Sequence, residues 1–267
     1  MSEPFAETHG GGSGVADGDV HAVETCCPVV ELRHYTLKPG RRDELIALFE
    51  ERLITGQEHY GMRILGQFRE PAQPDRFIWL RGFADMEARR QALEGFYFGP
   101  IWREHAAAAN DTMLDSDNVL LLTPAHSTSG FHVDASVPTA RAAPETDGGV
   151  ILATVYAFDA PVDASFVAFF DADLAPVLRG AGARLLGQFV TEPSENTFPQ
   201  LPVRIGEHVF VWFASFADAS AYTAYRSALA ESQVWRASLA PALRGRLSKP
   251  EEVLELAPTT RSLVRHS

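Results

Sequence analysis

Gly61-Met-Arg-Ile-Leu-Gly-Gln-Phe68 is written twice in this chain. It returns as Gly182-Ala-Arg-Leu-Leu-Gly-Gln-Phe189, identical at six of eight positions. Flanking landmarks repeat with it. Trp79 and Phe83-Ala-Asp85 return as Trp212 and Phe216-Ala-Asp218, and Trp102-Arg103 returns as Trp235-Arg236. An internal repeat decides architecture ahead of any local signal. The chain has 267 residues, enough for two units of roughly 100–150 residues each.

Working outward from the repeat, the first copy reads as an ordered series. Val29–Leu37 is β-branched and partly alternating, which predicts a strand. Lys38-Pro39-Gly40 is a turn. Leu45, Leu48, Phe49 and Leu53 recur at helical spacing and predict an amphipathic helix over 41–57. Residues 61–70 and 76–83 form two strands around the loop Pro71-Ala-Gln-Pro-Asp75. Asp85 is placed to cap a helix, and Pro100 suits the first turn of another. Residues 117–123 close the unit as a fourth strand. The order is β-α-β-β-α-β, the split β-α-β arrangement, whose crossovers put both helices on one face of a four-stranded sheet.

The second copy repeats this order. It has strands over 150–158, 183–191, 207–216 and 252–256, a first helix after Asp163, and further helices over 218–230 and 233–243. Pro176 is expected to bend or end its first helix. The register between copies is uneven. Gly66 maps to Gly187, an offset of 121, whereas Trp79 maps to Trp212, an offset of 133. The second copy therefore carries 12 extra residues between its second and third strands, in the region of Glu192–Pro202. A loop of this length suits a lid or a dimer contact. The resulting division is a disordered N-terminal tail (1–27, with Gly10–Gly14 as linker), a first unit (28–125), a Ser/Thr/Ala/Pro-rich linker (126–148), a second unit (149–257) and a C-terminal tail (258–267).

Each unit leaves one sheet face bare, and two units hide those faces by packing sheet on sheet. The predicted fold class is α+β: tandem ferredoxin-like units forming a pseudo-symmetric α/β barrel within one chain. The composition, 46% hydrophobic and 22% charged, is that of a globular protein. A net charge of −12 argues against nucleic acid and anionic membrane as partners. No run is long and apolar enough for a membrane helix, and no secretory signal is visible, so a cytoplasmic location is expected. The two cysteines, Cys26 and Cys27, are adjacent. Neighbouring cysteines rarely reach disulfide geometry, so they read as two small residues at the mouth of the first strand.

Glu31-Leu-Arg-His-Tyr-Thr-Leu-Lys-Pro-Gly40 resembles the opening signature of the NIPSNAP family, Glu-x-Arg-x-Tyr-x-x-x-x-Gly. Trp79, Phe83-Ala-Asp85 and Pro100-x-Trp102 are similar to that family's second half. The likeness spans 28–125 well and 149–257 weakly, because Glu31 becomes Leu152 and Arg33 becomes Thr154 while Tyr35 survives as Tyr156. It implies a dimeric α/β barrel, in agreement with the repeat. The family's activity is poorly defined, and some members are implicated in mitochondrial quality control or vesicle traffic in animal cells. Relatives in the superfamily include cofactor-free monooxygenases, haem enzymes, and isomerases or dehydratases of small metabolites.

Chemistry is expected on the first strand. Glu31, Arg33 and Tyr35 fall at i, i+2 and i+4 and share one face. If that face lines the barrel interior, Arg33 suits an anionic substrate, Glu31 a proton acceptor and Tyr35 a proton donor. The same row equally suits an architectural ion pair with Tyr35 filling the gap. Its loss from the second copy tilts the reading toward one specialised pocket. His34, Arg63, Gln67, Trp79, Trp102 and His105 are candidates for substrate contact. Arg63 and Gln67 return as Arg184 and Gln188, which also suits a structural duty across the pseudo-twofold axis. The tryptophans return as Trp212 and Trp235, which also suits core anchoring. No metal-ligand spacing, phosphate loop or dinucleotide fingerprint is present. No metal or cofactor is expected, with haem on His105 as the alternative.

The expected function is binding of a small, anionic metabolite. If the protein is an enzyme, its reaction is proton transfer of the isomerase or dehydratase type, or cofactor-independent oxygenation of a carbanion. The alternative is a non-catalytic interaction module using residues 192–202, and a homodimer of the tandem stays open.

Overall fold

The computed structural model describes residues 26–133 and 149–266. Of the expected disordered tail (1–27) and linker (126–148), residues 1–25 and 134–148 fall outside the described residues. Each half contributes four strands: β1 (Val29–Leu37), β2 (Arg63–Arg69), β3 (Arg76–Phe83) and β4 (Met113–Pro124), then β5 (Val150–Phe158), β6 (Arg184–Thr191), β7 (His208–Phe216) and β8 (Glu252–Pro258). They close into one antiparallel barrel in the order β1-β3-β2-β8-β5-β7-β6-β4. The halves join where β2 meets β8, through Phe68↔Pro258, and where β4 meets β6, through Leu122↔Thr191. Each half's last strand thus pairs with the other half's second, and no sheet edge is left bare.

The helices cover the outside. In the first half they are α1 (Arg42–Leu48), α2 (Ile54–His59), α3 (Met86–Tyr97) and α4 (Pro100–Thr112). In the second they are α5 (Ala164–Phe169), α6 (Ala175–Gly180), α7 (Ala219–Glu231) and α8 (Ala240–Arg244). Asp85, Asp163 and Asp218 each accept a backbone N–H three residues on, which starts α3, α5 and α7. A π-helical turn joins α1 to α2 (Phe49–Leu53), and another joins α5 to α6 (Phe170–Leu174). The two turns lie at the same place in the repeat. The helix does not end at Pro176: it widens just ahead of the proline and continues to Gly180.

Alternation along the strands builds two kinds of core. The interior rows, such as Val30, Leu32, Phe68, Ile78 and Leu80 of the first half and Ile151, Ala153, Val211, Phe213 and Leu254 of the second, fill the barrel. The exterior rows pack under the helices, with Phe49, Leu53, Leu93 and Phe96 over the first sheet half and Phe166, Phe170, Leu178 and Tyr225 over the second. Burying each of the Val, Leu, Ile and Phe side chains in these rows contributes about 1.5–3 kcal/mol.

The segments flanking the strands are more ordered than expected. After β8, Thr259 and Ser262 are buried and Val264 enters the barrel core, its N–H donating to Leu65. Thr259 and Thr260 donate to the carboxylate of Glu50. After β4, Phe131 likewise enters the core and Ser129 Oγ donates to the Gln188 carbonyl. The sulfurs of Cys26 and Cys27 lie against each other at the start of β1. The Cys26 N–H donates to Phe131 O, and Cys27 packs against Gly82, where no side chain intrudes.

Candidate functional site

The row Glu31, Arg33, Tyr35 does not face the barrel interior. The register places Glu31 opposite Arg81, Arg33 opposite Trp79 and Tyr35 opposite Phe77, all on the face covered by helices. The interior row of the same strand is Val30, Leu32 and His34. Between sheet and helices, Glu31 is completely buried. It accepts from Arg33 Nη1 at 2.6 Å, from Arg81 Nε at 2.7 Å and from Arg89 Nε on α3 at 2.7 Å. Burial alone would raise the Glu31 pKa; the guanidiniums of Arg81, Arg33 and Arg89 outweigh it and hold the carboxyl well below the usual carboxylate range. Glu31 is therefore a fixed negative charge, and the expectation that it takes a proton in a reaction does not fit its surroundings.

The arginines are held in turn. Arg81 Nη1 donates to Gln57 Oε1 at 3.0 Å, and its guanidinium lies 5.1 Å from the Trp79 ring centre. The Arg33 guanidinium lies 5.4 Å from the same ring centre, and its Nε donates to Tyr35 Oη at 3.3 Å. Burial pushes the Tyr35 hydroxyl up, so it stays a phenol. A roof comes from the other half of the chain. Arg89 Nη1 donates to Asn196 Oδ1 at 2.9 Å and to Thr197 Oγ1 at 3.2 Å. Phe198, next in sequence, is buried and stacks on Tyr97 at 5.9 Å. The long β6–β7 loop thus crosses the molecule to close over the first half.

Of the other candidates, Gln67 and Trp79 are brought to this layer as ladder partners. Their side-chain polar atoms have no hydrogen-bond partner among the described residues. Trp102 packs at the periphery against Tyr97 and Phe96. His34 points to the opposite face, fully buried, with burial and the charges of Arg204 and Arg76 pushing its pKa down to about 3. Arg63 stands near Glu58 and His105 near Glu104, both partly exposed. Sequence reasoning missed Arg81, Arg89 and Gln57. The signal was in the repeat: Glu31, Arg33, Arg81 and Arg89 map to Leu152, Thr154, Ala214 and Tyr222, so four buried charges vanish together.

Where those charges vanish, space opens. Thr154, Tyr156, Trp212, Tyr222, Tyr225 and Glu251 line a cavity of about 430 Å³ between the second half's sheet and helices. Tyr222 and Tyr225 are stacked 6.2 Å apart. Glu251 sits at the mouth, open to solvent on one side and shared with a neighbouring cavity of about 490 Å³ beside α8. Burial of its inner side raises its pKa, opposed by Arg244. Among the described residues, no group of three or more His, Cys, Asp or Glu could hold a metal ion, and no helix is long and apolar enough to cross a membrane.

A closed eight-stranded α/β barrel with a helix-covered site in each half defines a class, and comparison with solved structures finds that class over nearly the whole chain. A candidate monooxygenase from Fusobacterium nucleatum superposes with a TM-score of 0.54 at 10% identity, covering 87% of this chain and 93% of its own. One from Lactobacillus acidophilus gives 0.51 at 12% identity, covering 91% and 100%. An anthrone oxidase-like protein gives 0.54 at 14% identity, covering 86% and 91%. At these identities the likeness is one of fold. Residues 30–128 match the NIPSNAP family model. No curated protein matches the sequence.

Proposed function

We propose that this protein, on a scaffold of two ferredoxin-like units, binds an aromatic small molecule in the second-half cavity and removes a proton from it. The observation that carries this reading is the cavity itself. Its walls are Tyr156, Trp212, Tyr222 and Tyr225, and its mouth holds one carboxylate whose pKa is raised. Apolar, aromatic walls with few polar groups are what a small-molecule site requires. A carboxylate with a raised pKa is a stronger base than an ordinary one. Glu251 takes the proton from an acidic C–H or O–H of the ligand, and the aromatic walls hold the resulting delocalised anion. Such an anion can pass electrons to dioxygen without a cofactor, a reaction class consistent with the barrel neighbours described as a candidate monooxygenase and as anthrone oxidase-like.

The test uses anthrone as probe. Quenching of Trp212 and Trp235 fluorescence reads binding, and an oxygen electrode reads turnover. Quenching with oxygen uptake is expected in the wild type. Glu251→Gln is expected to keep the quenching and lose the uptake. No quenching, or uptake indifferent to Glu251→Gln, overturns the reading.

A further inference from the structure

The first half poses a different question, independent of the cavity in the second. Three guanidiniums surround one carboxylate, and Glu31, Arg33, Arg81 and Arg89 are all at most 1% exposed. Two positive charges of this ring are uncompensated within it. One terminal nitrogen of Arg81 and one of Arg89 have no hydrogen-bond partner among the described residues. Leaving buried donors unpaired is costly, and most severely so for charged ones. Architecture alone does not demand this cost: the second half fills the same layer with Leu152, Thr154, Ala214 and Tyr222.

The remaining terminal nitrogen of Arg89 shows what the ring takes. Its Nη1 is held by two neutral oxygens, Asn196 Oδ1 at 2.9 Å and Thr197 Oγ1 at 3.2 Å. Both come from the loop that is 12 residues longer than its counterpart in the first half. Both oxygens accept from that one nitrogen while Nη2 beside it has no partner among the described residues; a carboxylate would span Nη1 and Nη2 together, with a negative charge in addition and hence stronger bonds. Every unpaired group on the arginines is a donor, so a cation is excluded on chemistry. The walls beside them are rings: Phe83 lies 6.0 Å from the Arg89 guanidinium, and Tyr97, on which Phe198 stacks, lies 5.9 Å from that of Arg81. We infer that this cluster is a binding site for a small carboxylate with a short apolar tail, which replaces Asn196 and Thr197 on Arg89 and lays its tail where Phe198 now packs. The long loop is then a cover that mimics the ligand.

Isothermal titration with sodium propionate, against sodium chloride at the same ionic strength, tests the site in the full-length protein. Three proteins are compared, each checked for fold by circular dichroism: wild type, the cover variant Asn196→Ala/Thr197→Val, and Arg89→Lys, which keeps the charge but loses the fork. Saturable propionate binding is expected, tighter by about tenfold in the cover variant because no oxygens compete for Arg89, and weaker by about tenfold in Arg89→Lys. The cover variant keeps the test decisive where the closed loop makes wild-type binding weak. No saturable binding in either the wild type or the cover variant, or binding indifferent to Arg89→Lys, overturns the inference.

Discussion

Arg81 Nε donates to Glu31 Oε2 at 2.7 Å directly across the β1–β3 ladder, and the equivalent ladder position in the second half pairs Leu152 with Ala214. The same backbone register therefore carries a buried ion pair in one half and an apolar pair in the other. Removing one member of a buried charge cluster strands the rest without compensation, whereas replacing the whole cluster does not. Glu31→Leu alone is expected to lower stability by about 3–5 kcal/mol in urea unfolding. Adding Arg33→Thr, Arg81→Ala and Arg89→Tyr, which copies the second half, is expected to cost far less than the four single losses summed. Additive losses would show that the charges do not act as one unit.

His34 predicts a pH dependence. It is fully buried, neither ring nitrogen has a hydrogen-bond partner among the described residues, Glu252 Oε1 stands 3.8 Å from its Nδ1, and its pKa is pushed down to about 3. In the unfolded chain the ordinary histidine value of about 6.5 returns. Between these values the unfolded state binds a proton that the folded state refuses. Stability is therefore fully present above about pH 6.5 and falls as pH drops toward 3, with a slope from this group approaching about 1.4 kcal/mol per pH unit. His34→Phe is expected to flatten that part of the profile measured by thermal unfolding from pH 7 to pH 4. An unchanged slope would place the acid sensitivity elsewhere.

The repeated glycine of the decisive stretch predicts a packing effect. Gly66 and Gly187 both follow a register shift in their strands, and the ring two residues on lies over each of them. A Cβ on Gly66 would run into Phe68, and one on Gly187 would stand 2.8 Å from Phe189. Both rings are fully buried in the barrel and have nowhere to go. Gly66→Ala is expected to destabilise by about 1–3 kcal/mol, more than Gly187→Ala, as read by denaturant midpoints. Equal, negligible losses would mean that the rings shift freely.

Much of the architecture is legible in the residues. The duplicated octapeptide and the tryptophan landmarks announce two copies. Alternation places β1, β3 and β5 at their observed bounds, and Asp85, Asp163 and Asp218 mark helix starts because a short acidic side chain can satisfy a free N–H there. The strand ends are less legible. β4 begins at Met113, four residues before the expected Asp117, because pairing with β1 through irregular register extends a polar stretch that propensity alone would leave as coil.

The sequence by itself determined that Glu31, Arg33 and Tyr35 share a face, because side chains alternate along a strand whatever it packs against. It also determined that the second half lost the charges and gained a longer loop. Only the tertiary structure decided that the shared face lies under the helices, that Arg81 and Arg89 complete the ring around Glu31, and that Asn196 and Phe198 close it from the other half. Those residues are separated from Glu31 in the chain by 50, 58 and more than 160 positions. No local periodicity links them; barrel closure brings them together, and the burial it imposes turns a row of polar side chains into a charge cluster with unspent donors.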